Sequence, residues 1–451
     1  MRFYGFADLL GYWATQSPDR IALRGERESY SYADLQRRVL KRTKELQDSG
    51  KTCLGLLSDG SPECVVELFA ANLAGLQLVL LDEGAPEAVL RGLIAYTDID
   101  MLWGDPELCE ELQGNLTHGV TDGARKILFF TSGTTERAKA VILTDTSLCQ
   151  SAYNGSEKLP LQPEDCLMCM LPLGHVFGFV CGLLWGLNCG ATVALGRGAR
   201  HYLDDLRFYQ PTAVSLVPRL LGFLLQQNCL NEELRLILVG AGDCPPQLLQ
   251  AVQAKGIRLS FGYGLTETSS GVAISVAGDP YAMEVCPDDT ITIADDGEIL
   301  IAAPTCMMQG YYKWPQYTEE VLRHGILSTG DLGYFDANGR LHITGRKKDI
   351  LVMGDGTKIF LPEYEAGLMR LLGTAELAVV LRDDRPVLVL GDEKAESGSR
   401  DRIWQKLRPM MEQLPRGQQL TDIIFTEGPL PRTASGKIKR WELQQKVGIR
   451  T

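Results

Sequence analysis

Residues 127–139, Ile-Leu-Phe-Phe-Thr-Ser-Gly-Thr-Thr-Glu-Arg-Ala-Lys, concentrate groups able to do chemistry. The apolar run Ile127 to Phe130 reads as a strand. It empties into five small residues, Thr131, Ser132, Gly133, Thr134 and Thr135, and then into the cations Arg137 and Lys139. A strand that delivers a hydroxyl-rich loop to a fixed place can wrap phosphate oxygens with hydroxyl and backbone N–H donors, while nearby cations offset their charge. No Gly-x4-Gly-Lys-Ser/Thr run occurs, so this is not the Walker loop. Taken alone, it would read as a polar hairpin turn.

It does not stand alone. Tyr263-Gly-Leu-Thr-Glu267 follows, then Ser328-Thr-Gly-Asp331 leading into Gly345-Arg-Lys-Lys-Asp349, then Pro431-Arg-Thr-Ala-Ser-Gly-Lys-Ile-Lys-Arg440. With the Ser-Gly-Thr-Thr core, and in the same order, these stretches resemble the adenylate-forming superfamily of acyl-CoA synthetases, stand-alone adenylation domains and luciferases. The resemblance covers nearly the whole chain and is weakest in the first 50 residues and around 276–300. It implies ATP-dependent activation of a carboxylic acid as acyl-AMP, with release of pyrophosphate, then transfer to a thiol. A carboxylate is a poor electrophile and an anion, and the α-phosphorus of ATP is already crowded with negative charge. Such an enzyme therefore needs cations and dipoles where charge builds up in the transition state.

On that resemblance, Thr131, Ser132, Gly133, Thr134, Thr135 and Lys139 cradle the β- and γ-phosphates. Gly240, Ala241 and Gly242 lie against adenine, although a plain β-turn fits them nearly as well. Tyr263, followed by Gly264, stacks on adenine, Thr266 holds a phosphate oxygen, and Glu267 ligates Mg2+, a hard cation suited to carboxylate oxygen. Asp331 accepts from both ribose hydroxyls, with Arg346 on the same sugar. Lys437 places its ammonium between the incoming carboxylate and the α-phosphate. Lys348 sits at the family hinge, Gly354 and Gly356 let a pantetheine arm pass, and His175 gates the carboxylate. The bland readings are a half-buried core aromatic for Tyr263, a turn residue for Asp331, a packing residue for His175 and a solvated lysine for Lys437.

Substrate choice rests on Pro172-Leu-Gly-His-Val-Phe-Gly-Phe179. Amino-acid-activating relatives place an aspartate near here, and this chain has His175, Phe177 and Phe179 instead. The cleft floor is therefore expected to be apolar, with Gly178 and Gly182 opposite Gly262 and Gly264 leaving room for an acyl chain. A fatty or other apolar acid is expected, with CoA as acceptor; the alternative acceptor is the phosphopantetheine of an acyl-carrier protein. A non-catalytic nucleotide-binding relative is the reading from another class, and the joint presence of Lys437, Glu267, Asp331 and Arg346 counts against it. The chain departs from the family pattern at Glu136, Ala138 and Ala140, where Gly, Pro and Gly are usual. It also departs at Pro362-Glu-Tyr-Glu365, which is one residue tighter than Pro-x-Glu-x-Glu.

Composition sets bounds on these readings. At 451 residues, two or three domains are expected. A net charge of −12 argues against nucleic acid as a main partner. The N-terminus lacks an apolar signal-like core, so a cytoplasmic protein is expected, with its 12 cysteines reduced and mostly buried. Cys166-Leu-Met-Cys169 is then a buried strand rather than half a zinc site. The apolar stretch 178–196 is expected to be a buried helix, a turn at Asn188-Cys-Gly190 and a core strand, with no transmembrane span.

The elements that must position these residues follow a βαβ rhythm: a helix over 32–46, a strand at 54–57, a helix at 62–74 and a strand at 78–81. Helices around 148–158, 177–187, 203–209 and 218–227 and strands at 191–195, 213–217 and 236–239 continue it, with the chemical motifs at strand ends. Texture changes near 281, where two hairpins are expected, one around Asp295-Asp-Gly297 and one around Asn338-Gly339. The predicted architecture is α/β. Residues 1–345 form a large N-terminal domain of layered α/β subdomains with a small β subdomain at about 281–345. Residues 346–451 form a small, mobile α/β C-terminal domain.

Overall fold

Cys53–Leu57 and Gln77–Leu81 are buried along their whole length, which suits strands covered on both faces. They pair in parallel, Leu54 opposite Leu78, with the helix Pro62–Ala74 between them in sequence. That helix begins where the Ser61 side chain accepts from the Cys64 N–H and stops at Gly75, whose φ of 91° only glycine adopts freely. A computed structural model describes residues 1–448 apart from 83, 117–124, 132–138, 243, 277–278, 354–356, 384, 392–398 and 433–437; the side chains of 352 and 441 are also outside the description.

Contacts divide the chain into two compact units. The first holds Met1–Thr131, Lys139–Thr329 and Gly333–Ile343, and the second holds Gly330–Leu332 and Thr344–Thr451. Two large sheets build the first unit. In one, Met101–Trp103, Cys53–Leu57, Gln77–Leu81 and Lys126–Phe130 run parallel. Ala140–Thr144 and then Gly310–Tyr311 add antiparallel strands at the far side. In the other, Arg258–Leu265, Leu236–Val239, Ala213–Leu216, Cys166–Cys169, Thr192–Leu195 and Ile21–Arg24 are parallel neighbours in that order. A shared aromatic core includes Phe6, Phe69, Phe129 and Phe179. The hairpin of Thr290–Ile293 and Glu298–Ala302 continues through Ile326–Phe335 into a third, smaller sheet.

Cys166 and Cys169 stand three apart on a strand, so they point to opposite faces. Cys169 enters one hydrophobic core, and Cys166 packs against another. Burial pushes the two thiols up to about 11 and about 12, which keeps them protonated. The run 177–187 is not a single regular α-helix. Gly178–Leu184 forms a wider π-helical turn before the α-turn Trp185–Asn188. The strand Thr192–Leu195 then enters the core, and among the described residues no helix is long and apolar enough to cross a membrane.

The second unit is built around its own three-stranded sheet. Leu377–Arg382 and Arg385–Gly391 pair antiparallel, and Asp422–Thr426 joins in parallel. The helices Leu361–Leu372 and Ser399–Gln413 supply Leu368 and Leu407 to its core.

Candidate active site

Lys126–Phe130 and Ala140–Thr144 pair antiparallel from Lys126–Thr144 to Phe130–Ala140. The Thr131 N–H then donates to the Lys139 carbonyl at 3.0 Å. The ladder therefore fixes Thr131 and Lys139, while Ser132, Gly133, Thr134, Thr135, Glu136 and Ala138 lie outside the described residues. Ala140, at a position where glycine is usual, is accommodated as a fully buried strand residue. The Lys139 ammonium sits 3.4 Å from the ring centre of Tyr317 and 5.6 Å from that of Tyr311, a cation held against aromatic faces.

Tyr311 joins this lysine to the second motif. Its backbone pairs with Val141, and its N–H donates to Thr318 Oγ1 at 2.9 Å. Its hydroxyl donates to Glu267 Oε1 at 2.6 Å. Burial and the Glu267 carboxylate push the Tyr311 phenol well above its ordinary value, so it stays a donor.

Glu267 is presented by a tightly turned hairpin. Tyr263 lies inside the strand Arg258–Leu265, its ring half-buried against the large core, and the pairing with Ser270–Ile274 shifts register between Tyr263 and Gly264. A side chain at Gly264 would place its Cβ 1.7 Å from the Ser270 carbonyl oxygen, so only glycine permits this approach. The turn Thr266–Thr268 leads into Ser269 and Ser270, with φ of 52° and 103°. Such left-handed conformations cost non-glycine residues roughly 1–3 kcal/mol each and persist where the surroundings enforce them. Here the Ser269 hydroxyl donates to the Cys306 carbonyl at 2.7 Å, and the Met308 N–H donates to the Glu267 carbonyl at 2.8 Å.

The expected acyl channel is not what the glycines make. A Cβ on Gly178 would meet the Pro172 carbonyl oxygen at 2.3 Å, and one on Gly182 would meet Cys169 Sγ at 3.0 Å. These glycines allow close backbone packing of the π-turn and, like Gly264, leave no room for a chain; a Cβ at Gly262 would make ordinary contacts, with Leu238 at 3.6 Å and the Val239 carbonyl oxygen at 4.0 Å. Phe179 is fully buried between Phe6 and Phe129, in the core rather than on a cleft floor. Phe177 covers Gly240, where a Cβ would stand 2.9 Å from its ring. Ala241 follows at φ 61°, and Ala241 and Gly242 are exposed. His175 is exposed in the turn its N–H closes onto the Pro172 carbonyl, and among the described residues no side-chain hydrogen bond or ion pair joins it to another candidate. Behind the π-turn lies a small apolar cavity lined by Val180, Cys181, Trp185, Leu238 and Ile274 among others.

In the second unit, Asp331 is 2% exposed and pairs through Oδ1 with Arg346 Nε at 2.7 Å. Lys348 is exposed in the turn Lys347–Asp349. Gly354, Gly356 and Lys437 lie outside the described residues. The chain on either side of 433–437 is firmly held. Arg432 bridges Ile438, and the Lys439 N–H donates to the Pro431 carbonyl at 2.8 Å. Arg432 pairs with Glu376 at 2.8 Å, and Arg440 pairs with Glu365 at 2.5 Å. Glu365 also accepts from the Val379 N–H at 2.7 Å, a structural task for the last residue of the shortened Pro362–Glu365 run.

Sequence reasoning missed Tyr311, Tyr317 and Glu376, and it named Glu365 only as the end of a shortened run, without a role. The signal available for the first two was the aromatic cluster Tyr311-Tyr-Lys-Trp-Pro-Gln-Tyr317 beside an isolated cation, which core packing would explain equally well.

The family model for AMP-binding enzymes matches residues 10–312. The chain belongs to the AMP-binding enzyme family. Among similar members, the 2-succinylbenzoate–CoA ligase of Bacillus cereus is 27% identical over 96% of this chain and 96% of its own length. The indoleacetate–CoA ligase of Aromatoleum aromaticum has the same identity and the same coverage of both chains. Among solved structures of AMP-binding enzymes, the O-succinylbenzoate coenzyme A synthetase of Bacillus subtilis in complex with ATP and magnesium ion superposes with a TM-score of 0.80. It is 26% identical, and the match covers 97% of this chain and 99% of that one. The same synthetase in complex with AMP also gives 0.80, at 25% identity.

Proposed function

We propose that this enzyme is an acid–thiol ligase: it activates a carboxylic acid with ATP and passes the acyl group to the thiol of CoA. A carboxylate oxygen attacks the α-phosphorus, the bond to the bridging oxygen breaks, and pyrophosphate leaves. The thiol sulfur then attacks the acyl carbonyl and AMP departs, its proton balance closed by loss of the thiol proton. The observation that carries this reading is the meeting of Lys139 and Glu267 at one tyrosine, beside the strand end that leads into residues 132–138. A fixed cation suits the polyphosphate, and a fixed carboxylate suits its counter-ion.

Glu267 fits a magnesium ligand. Its Oε1 takes the Tyr311 hydrogen bond, and among the described residues no donor engages its other oxygen. No cluster of three metal-ligating side chains occurs among the described residues, which suits an ion held by one carboxylate together with substrate phosphates and water. When bound there, magnesium would neutralise phosphate charge. Thr131, Thr266 and the loop residues Ser132, Gly133, Thr134 and Thr135 are assigned to the phosphates, Tyr263 and Gly240–Gly242 to adenine, and Asp331 with Arg346 to the ribose. Lys437 is assigned to the α-phosphate and the incoming carboxylate, Lys348 to the hinge of the second unit, and His175 to the mouth of the acid site. These roles rest on the family resemblance.

The acid is proposed to be a compact aromatic or arylalkanoic one. The acids for which the relatives are named, succinylbenzoate and indoleacetate, favour this over a fatty chain.

Carboxylate-dependent ATP–pyrophosphate exchange, screened over aromatic, arylalkanoic and fatty acids, tests the proposal. Exchange is expected with an aromatic acid, and Lys437→Ala is expected to slow it about 100- to 1,000-fold with ATP affinity nearly unchanged. Absence of exchange with every acid would overturn the activity, whereas exchange confined to fatty acids would overturn the substrate class alone.

A further inference from the structure

Tyr311 is 6% exposed, and packing alone would be served equally well by phenylalanine. Its hydroxyl is instead committed to a carboxylate, the 2.6 Å bond to Glu267 Oε1. The tyrosine is fixed at three points. It pairs with Val141 on the strand that follows Lys139, its N–H is bound by Thr318 Oγ1, and its ring lies tilted against that of Tyr317 with centroids 5.1 Å apart. Gly310, at φ 145°, lets this edge strand approach Thr318, since a Cβ there would stand 3.0 Å from the threonine methyl. Glu267 comes from a different sheet, at the end of the strand Arg258–Leu265. A side chain on one sheet thus sets the orientation of a carboxylate delivered by the other.

We infer that Tyr311 is a positioning residue for metal-dependent nucleotide binding: by holding Glu267 Oε1, it turns the other oxygen toward the magnesium ion. This rests on the reading of Glu267 as a magnesium ligand. A free glutamate side chain samples several rotamers, and fixing it beforehand removes that entropy from the binding step. The same ring lies 5.6 Å from the Lys139 ammonium, so the cation for the phosphates and the ligand for their counter-ion share one support.

The test uses the full chain and measures ATP affinity by calorimetry, in excess Mg2+ and separately in EDTA. The variants are Tyr311→Phe, which keeps the ring, and Glu267→Gln. Tyr311→Phe is expected to weaken ATP binding about tenfold in Mg2+, equivalent to about 1.4 kcal/mol, and less than twofold in EDTA. In turnover, KM for MgATP should rise more than kcat falls, and the magnesium concentration for half-maximal rate should rise. Equal weakening with and without metal would mark Tyr311 as a packing residue and overturn the inference. A silent Tyr311→Phe beside a Glu267→Gln that loses its magnesium dependence would overturn it while leaving the Glu267 reading intact. A Glu267→Gln that keeps full magnesium dependence would overturn both.

Discussion

Gly264 shows how much one hydrogen in place of a side chain can decide. It stands opposite Gly271 in the ladder, and its own Cβ position is 1.7 Å from the Ser270 carbonyl oxygen. An alanine there must push the Ser270–Ile274 strand away and release the left-handed turn that presents Glu267. Gly264→Ala is therefore expected to cost about 1–3 kcal/mol of stability and to weaken MgATP binding more than ATP binding in EDTA. Urea denaturation and calorimetry check the two halves, and unchanged values in both would mean the strands are not so closely apposed. Glu267 and Lys139 stand out in the sequence as candidates because each belongs to a short run with its neighbours in chemistry. Tyr311 does not, because its partners lie 44 residues away at Glu267 and on the strand that begins at Ala140. A periodicity argument sees no such distance. Nor could it tell that Gly178 and Gly182 serve packing, since the same residue type permits an open channel or a close contact.

At the level of elements, local pattern was a good guide wherever local forces decide. Pro62–Ala74 carries its own start and stop, and the buried strands Cys53–Leu57 and Gln77–Leu81 are apolar throughout apart from Gln77. The hairpins at Thr290–Ala302 and Ile326–Arg346 announced themselves through alternation and Asp-Gly or Asn-Gly turns. Lys126–Phe130 and Ala140–Thr144 pair antiparallel at the end of an otherwise parallel run because no helix separates them, the hairpin that the short polar loop between them allows. The wide turn Gly178–Leu184 was illegible, since it answers to the backbone of residues 171–172 rather than to its own sequence. Tertiary contact likewise holds the last helix, Arg440–Lys446. Its first residue is anchored on Glu365, whose side chain is 9% exposed, and that helix begins three residues after Lys437. Glu365→Gln keeps an acceptor for the Val379 N–H and removes the charge facing Arg440. Leaving a partly buried guanidinium uncompensated costs roughly 3 kcal/mol. Hydrogen exchange should show loss of protection in Arg440–Lys446 ahead of the sheet Leu377–Gly391, together with slower pyrophosphate exchange. Equal protection in wild type and variant would show that the pair does not hold the helix.

For the whole molecule, the excess of acidic groups has one consequence inside the first unit. Asp289 is 8% exposed, and its Oδ2 is met only weakly, by Asn154 Nδ2 at 3.4 Å. Arg2 pairs with the neighbouring Asp288 instead, and Cys286 and Cys306 complete the surroundings. Burial, reinforced by the Asp288 charge, pushes the Asp289 carboxyl up to about 7 from 3.8. Between those two values the folded chain holds a proton that the unfolded chain has released. The contribution to stability is thus fully present below the unfolded value, declines as pH rises, and is gone once pH has passed through about 7. Between pH 6 and pH 8 the loss amounts to about 1 kcal/mol. Asp289→Asn carries no proton to lose. It should flatten this part of the pH profile and make the variant the more stable of the two at pH 8, where the wild type must either bury a charge or open the site. Denaturation of the first unit, followed at pH 6 and pH 8, checks the difference; parallel profiles for the two proteins would place the titrating group elsewhere. The direction separates this effect from the site chemistry. A paired carboxylate such as Asp165, held below its usual range with Thr212 and Arg235 as partners, contributes stability that is lost as pH falls. Asp289 contributes stability that is lost as pH rises, so the two carboxylates respond to pH in opposite directions.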